Sequence, residues 1–284
     1  MSNILQAIHR VISNPIIDVK AFYSGKNRAN SVGDALEKYV KDIFANTFNE
    51  ENEAKRDGIY NQTFSYLGNQ NNPPDIILKG GDAIETKKVQ SPTAALALNS
   101  SYPKSKLYSD SSMITKSCRE CEDEDWTVKD IAYVVGHTSD TVLKYLWMVY
   151  GDCFAADREV YQRIKRTISD GVNNIPDVEL TPSNELGKVK KVDPLGITDL
   201  RIRGMWHIEN PCKVFNYLSC FDDKATFQLI ALMRDDKFNS FPDIDKNKLL
   251  NLVKQNYSIT EVNFKNPDNP AHLLRGKLIT YRVY

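Results

Sequence analysis

The chain has 284 residues, 41% hydrophobic and 26% charged, an ordinary globular composition with enough apolar material to bury a core without disulfide or metal staples. Its 37 basic and 37 acidic residues cancel, which excludes a globally basic coat for gripping nucleic acid but not a local basic cleft. No apolar run approaches the roughly 18 residues of a membrane span, and MSNILQAIHRVISN carries Arg10 and polar residues where a secretion signal is apolar.

Five scattered cysteines, Cys118, Cys121, Cys153, Cys212 and Cys220, form no disulfide framework, and the expected setting is the reduced cytoplasm. Cys118 and Cys121 make a single CxxC with no second pair, so ordinary thiols are expected there. No GxxxxGK[ST] phosphate loop is present, which argues against a motor or helicase.

In chain order, residues 1–22 read as a short helix interrupted by Pro15. In 31–46, Val32, Ala35, Leu36, Tyr39, Val40, Ile43 and Phe44 recur at steps of three and four. That spacing predicts one buried helical stripe, with Ser31 as cap and Glu37 on its edge. Residues 59–67 read as a strand. Asp75–Leu78 reads as another, Lys79–Asp82 as a glycine turn and Ala83–Val89 as the returning strand. Ile131–Val135 and Val142–Tyr150 suit central strands, with Tyr145, Trp147 and Tyr150 in the core. Helices are predicted around 155–168, 224–234 and 246–254, and strands at 198–208 and 277–283. The order predicts an α/β fold with a mixed sheet.

The chemistry concentrates in the predicted hairpin. Residues two apart on a strand share a face, so Glu85 and Lys87 project together while Ile84 and Thr86 face the other way. Folding at Gly80–Gly81 brings Asp75 alongside Glu85. Two adjacent carboxylates repel unless a cation joins them. A hard divalent ion such as Mg²⁺ resolves the conflict, and with Lys87 it suits phosphodiester hydrolysis. The competing reading is an exposed hairpin whose Glu85–Lys87 pair is surface decoration, and for Glu37 a solvated helix edge.

Pro74-Asp75, nine residues, then Glu85-Thr86-Lys87 resembles the PD-(D/E)xK nuclease signature. The resemblance implies Mg²⁺ held by Asp75 and Glu85, Lys87 serving the attacking water, and Glu37 completing the catalytic and metal set from a preceding helix. It implies an α/β restriction-endonuclease-like core, a mixed central β-sheet flanked by helices. More widely, NRANSVGDALEKYVKDIFANT and NSSYPKSKLYSDSSMITKSCRE resemble the NgoPII group of type II restriction endonucleases. That resemblance implies a homodimer cutting double-stranded DNA at a short GC-rich palindrome such as GGCC, with 5′-phosphate and 3′-hydroxyl products. The expected layout is a single nuclease domain over 1–284, its catalytic core about 25–215 and peripheral elements about 216–284.

Residues 79–119 hold seven basic side chains against three acidic ones, a local surplus able to steer phosphate. The stretch 99–112 offers Asn99, Ser101, Lys104 and Lys106 as DNA contacts, the two lysines as candidates for guanine edges. Arg28 in GKNRAN, Lys88 beside the motif, and Arg201 with Arg203 on one strand face are further DNA candidates. Each has a plain alternative as a polar loop or solvated face. A repair or junction-resolving nuclease, a non-catalytic DNA-binding module and a protein-interaction domain are the competing functions.

Overall fold

The computed structural model describes residues 1–24, 32–69, 72–181, 183 and 185–284. Arg28 and the expected cap Ser31 lie outside them. The chain opens with α1 (Ile4–Ser13), α2 (Val19–Ser24), α3 (Val32–Ala45) and α4 (Glu53–Thr63). Strands β1 (Phe64–Asn69), β2 (Asn72–Leu78), β3 (Ala83–Val89), β4 (Leu96–Ala97) and β5 (Lys106–Tyr108) follow. Next come α5 (Lys116–Arg119), β6 (Val128–Ser139), β7 (Val142–Tyr150), α6 (Gly151–Phe154) and α7 (Arg158–Asn173). Then follow β8 (Gly187–Val189), β9 (Leu200–Ile202), β10 (His207–Ile208) and α8 (Pro211–Val214). The chain closes with β11 (Phe227–Arg234), α9 (Asp235–Ser240), α10 (Asp243–Leu250), β12 (Tyr257–Lys265) and β13 (Leu273–Val283).

One mixed sheet organises the molecule, in the order β1-β2-β3-β6-β7-β11-β13-β12, with β5 also paired to β6. The β3–β6 and β7–β11 pairs are parallel, and their neighbours are antiparallel. Helices flank it as expected for this α/β class. The α3 stripe behaves as its spacing predicts: Ala35, Leu36, Tyr39, Val40, Ile43 and Phe44 are all buried. So are Tyr145, Trp147 and Tyr150 in β7. No helix among the described residues is long and apolar enough to cross a membrane.

Several elements differ from the sequence reading. Residues 59–63 finish α4 instead of opening a strand. Asn52 starts that helix by accepting the Lys55 N–H at 3.0 Å, a capping signal that outweighs the local β propensity. Residues 224–234 contain no helix. FQLIALM is β11, buried on both faces between β7 and β13, and a short apolar run carries no period to separate the two states. With β12 and β13 it brings the last fifth of the chain into the main sheet. The expected strand at 198–208 is two short pieces, β9 paired to β8 and β10 paired to β4.

Candidate active site

The β2–β3 hairpin forms where the sequence places it. Ile76 pairs with Ile84 and Ile77 with Ala83, so one step outward Asp75 stands opposite Glu85. Gly80, at φ +63°, makes the turn, a conformation other residues adopt only with strain. The Thr86 N–H donates to Asp75 Oδ2 at 2.6 Å. Lys87 Nζ donates to Glu85 Oε1 at 2.7 Å. The Glu85 and Lys87 side chains are only 9% and 23% exposed, which sets aside the reading of a solvated surface pair.

The electrostatics are those of a site short of one positive charge. Burial, then the Glu85 carboxylate, pushes the Asp75 carboxyl up to about 7, against opposing pulls from Lys87 and the Thr86 N–H. Burial works against the Lys87 charge, but the carboxylates of Glu85, Asp75 and Glu37 outweigh it and hold that ammonium above its ordinary range. Glu85 Oε2 is buried with no hydrogen-bond partner. An orphaned carboxylate oxygen beside a second carboxyl fits a hard divalent cation, whose preferred ligands are such oxygens.

Glu37 does not join the pair. It is exposed on α3 and lines a separate recess of about 90 Å³ with Lys41, Asn69 and the other flank of Asp75. Its effect on Asp75 is the smallest of the contributing charges. Among the described residues no group of three or more His, Cys, Asp or Glu is gathered to hold a metal.

Asp75, Glu85 and Lys87 open into a cleft of about 700 Å³ that Lys104, Lys165, Arg201, Arg203 and Trp206 also line. Five cationic side chains (Lys87, Lys104, Lys165, Arg201 and Arg203) thus face three carboxylates, those of Asp75, Glu85 and Glu185. The family model for the NgoPII restriction endonuclease matches residues 2–265. A relative named type II restriction enzyme NgoPII, from Neisseria gonorrhoeae, is 48% identical over 282 residues, covering 99% of this chain and all of the relative. The chain belongs to the NgoPII restriction endonuclease family. No solved structure matches it.

For an endonuclease of this family the cleft sorts the DNA candidates. Asn99, Ser101, Lys104, Arg201 and Arg203 line it. Lys88 does not: one residue after Lys87, it is exposed on the opposite strand face. Lys106 does not either. It sits on β5 bound by Asp130 and, at 3.2 Å, by Asp152. Arg201 and Arg203 share Glu185, at 2.7 and 2.5 Å, so the carboxylate offsets part of their charge.

Lys104 is not the mobile surface lysine that a polar loop suggests. It is 7% exposed, with Nζ donating to Ser101 Oγ and, at 3.2 Å, to the Tyr102 carbonyl. Its own N–H donates to Tyr133 Oη at 2.7 Å. A Cβ on Gly151 would stand 2.3 Å from the Lys104 carbonyl, so glycine there lets the loop press onto the sheet. Burial lowers the Lys104 ammonium to about 8. A base lowered by folding carries its full cost below pH 8 and loses that cost as pH rises toward its ordinary value near 10.5. Lys104→Met is therefore expected to stabilise the protein at pH 7, by an increment that shrinks above pH 8. Urea unfolding across that range checks it; an increment independent of pH would contradict it.

Sequence reasoning missed Lys165 on α7, Glu185, and the aromatic cluster Tyr102–Tyr161–Trp206, in which Tyr102 and Tyr161 stack at 5.6 Å. These residues come from segments far apart in the chain, and no local spacing marks them. All five cysteines are free.

Proposed function

We propose that the chain is a Mg²⁺-dependent type II restriction endonuclease that hydrolyses phosphodiester bonds in double-stranded DNA. Its target is a short GC-rich palindrome such as GGCC, and its products carry 5′-phosphate and 3′-hydroxyl ends. The observation that carries this reading is half-buried Asp75 opposite buried Glu85, one Glu85 oxygen unsatisfied, with Lys87 beside them in a cationic cleft.

Asp75 and Glu85 would hold the Mg²⁺. When bound, the ion supplies positive charge at the scissile phosphate and acidifies a water. Lys87 stays charged because Glu85 and Asp75 favour its proton, so it serves by orienting the attacking water and by stabilising charge that develops on the phosphate. Glu37 adds negative potential without reaching the cleft. Lys104, Lys165, Arg201 and Arg203 draw in the backbone, whose counterions are released on binding. A two-fold palindrome suits a homodimer, each copy placing one such site on one strand. This reading expects the enzyme in the cytoplasm, where its DNA substrate would be met.

Incubation of the purified protein with a long duplex of known sequence and Mg²⁺ tests the reading. Discrete fragments ending at one short palindrome are expected, lost with EDTA and regained with Mg²⁺. Ca²⁺ is expected to permit binding without turnover, being larger and looser in geometry. Structure-selective nicking, or cutting unaffected by chelation, would contradict it.

A further inference from the structure

A short hairpin stands on the wall of the cleft. β8 and β9 pair from Gly187↔Ile202 to Val189↔Leu200, and the Val192 N–H continues the ladder to the Thr198 carbonyl at 2.9 Å. The tip, Asp193-Pro194-Leu195-Gly196-Ile197, is fixed by Asp193. That carboxylate accepts the N–H groups of Leu195 at 3.0 Å and Thr198 at 2.7 Å. Gly196 makes the turn at φ +69°. The result holds Leu195 81% and Ile197 80% exposed. Two large apolar side chains held out on one tip give the hairpin an exposed apolar point.

The surroundings point to the occupant. Arg201 and Arg203, at the root of the hairpin, line the same cleft as Asp75, Glu85 and Lys87. Four residues separate Arg201 from Ile197, at most roughly 13 Å of extended chain. That is close to the width of the DNA major groove, about 12 Å. Lys190 and Lys191 are exposed beside the tip, and with Lys188, Arg201 and Arg203 they outnumber the three carboxylates there, Glu185, Asp193 and Asp199. A basic neck under an apolar point, next to a phosphodiesterase cleft, matches phosphates flanking an opened base step. An apolar pocket on a second copy would not call for that basic neck.

We propose that the hairpin 187–202 is a groove wedge. With a duplex seated in the cleft, Leu195 and Ile197 enter the groove and part a base step, while Lys190 and Lys191 hold the neighbouring phosphates. This inference rests on the nuclease reading above. It adds a contact through which the ease of deforming the DNA is read, beyond the bases the cleft touches.

The test uses the full-length protein with Ca²⁺ and a duplex that the wild type cuts with Mg²⁺. The fluorescent base 2-aminopurine is placed at successive positions across and beside the site. Wild-type binding is expected to raise fluorescence at one step. Leu195→Ser with Ile197→Ser is expected to remove that rise and weaken Kd about tenfold, with an unchanged melting temperature. Leu195→Met with Ile197→Val is expected to keep both rise and affinity. No rise at any position with wild type, or a wild-type rise and Kd in the serine variant, would overturn the wedge. So would loss of a dimer by light scattering with the fluorescence rise intact, which would make the tip a contact between copies. If wild type cuts no DNA at all, the nuclease reading itself fails first.

Discussion

Glu85→Gln and Lys87→Met are each expected to lower the cleavage rate by about a hundred- to a thousandfold, the scale on which removing one preorganised group that stabilises transition-state charge acts. Glutamine keeps the shape of Glu85 but removes the anion that meets Lys87 at 2.7 Å and stands opposite Asp75. Methionine keeps the packing of Lys87 but leaves buried Glu85 and half-buried Asp75 without their cation. DNA affinity in Ca²⁺ is expected to change far less in the Gln variant, because it removes a negative charge from a cleft built to receive phosphate. Lys88→Ala is the internal control. It removes the same charge one residue along, from the opposite and exposed face, and cutting is expected within about threefold of wild type, as for most exposed charges away from the chemistry. Single-turnover cleavage of a labelled duplex decides the matter. Wild-type rates in either active-site variant would refute the roles given to them.

Lys237→Met is expected to cost about 3 kcal/mol of stability, the low end for stripping a buried charge of its partner. Lys237 Nζ lies 2.7 Å from Asp82 and 2.7 Å from Asp130, over the rings of Tyr150 and Phe241 at 5.1 and 5.0 Å. The side chains of Lys237 and Asp82 are only 13% and 12% exposed. Asp82 closes the hairpin, its carbonyl accepting the Leu78 N–H at 2.9 Å. A lysine on α9 thus braces the turn that carries Asp75, Glu85 and Lys87. The cost stays at the low end because Asp82 keeps the Tyr150 hydroxyl at 2.6 Å and Asp130 keeps Lys106. Asp82→Asn in the Lys237→Met background is expected to recover part of the loss, since it removes the stranded charge. Urea denaturation of the four proteins in this cycle measures it. A loss under about 1 kcal/mol, as for a surface pair, would contradict the account.

What could be read from the sequence was what is local in it. Only eleven residues separate Asp75 from the Thr86 N–H that holds it, so strand alternation and one glycine turn sufficed to bring the acids and the lysine together. The α3 stripe was legible for the same reason. Glu37 is legible as a helix-edge residue, but the side of Asp75 that it meets is not, because helix spacing says nothing about how the helix docks on the sheet. Lys104 and Lys106 were expected in an open polar loop. Packing against Gly151 buries the first, and Asp130 with Asp152 captures the second; both causes lie in partners distant along the chain. β11 was misread because an apolar run buried on both faces has no amphipathic period, and only its pairing with β7 and β13 settles its form. The cleft wall around Lys165, Glu185 and Trp206 exists only once the fold is assembled.

The central claim is that Asp75 and Glu85 share a divalent ion at the scissile phosphate. A crystal of the protein with a cleavable duplex, grown with Mn²⁺ and measured at the manganese absorption edge, tests it most directly. The account predicts an anomalous peak bridging a carboxylate oxygen of Asp75 and the otherwise unpartnered Oε2 of Glu85, with Lys87 Nζ facing the same phosphate. A manganese bound at that phosphate through other side chains, with Asp75 and Glu85 turned away from it, would contradict the account.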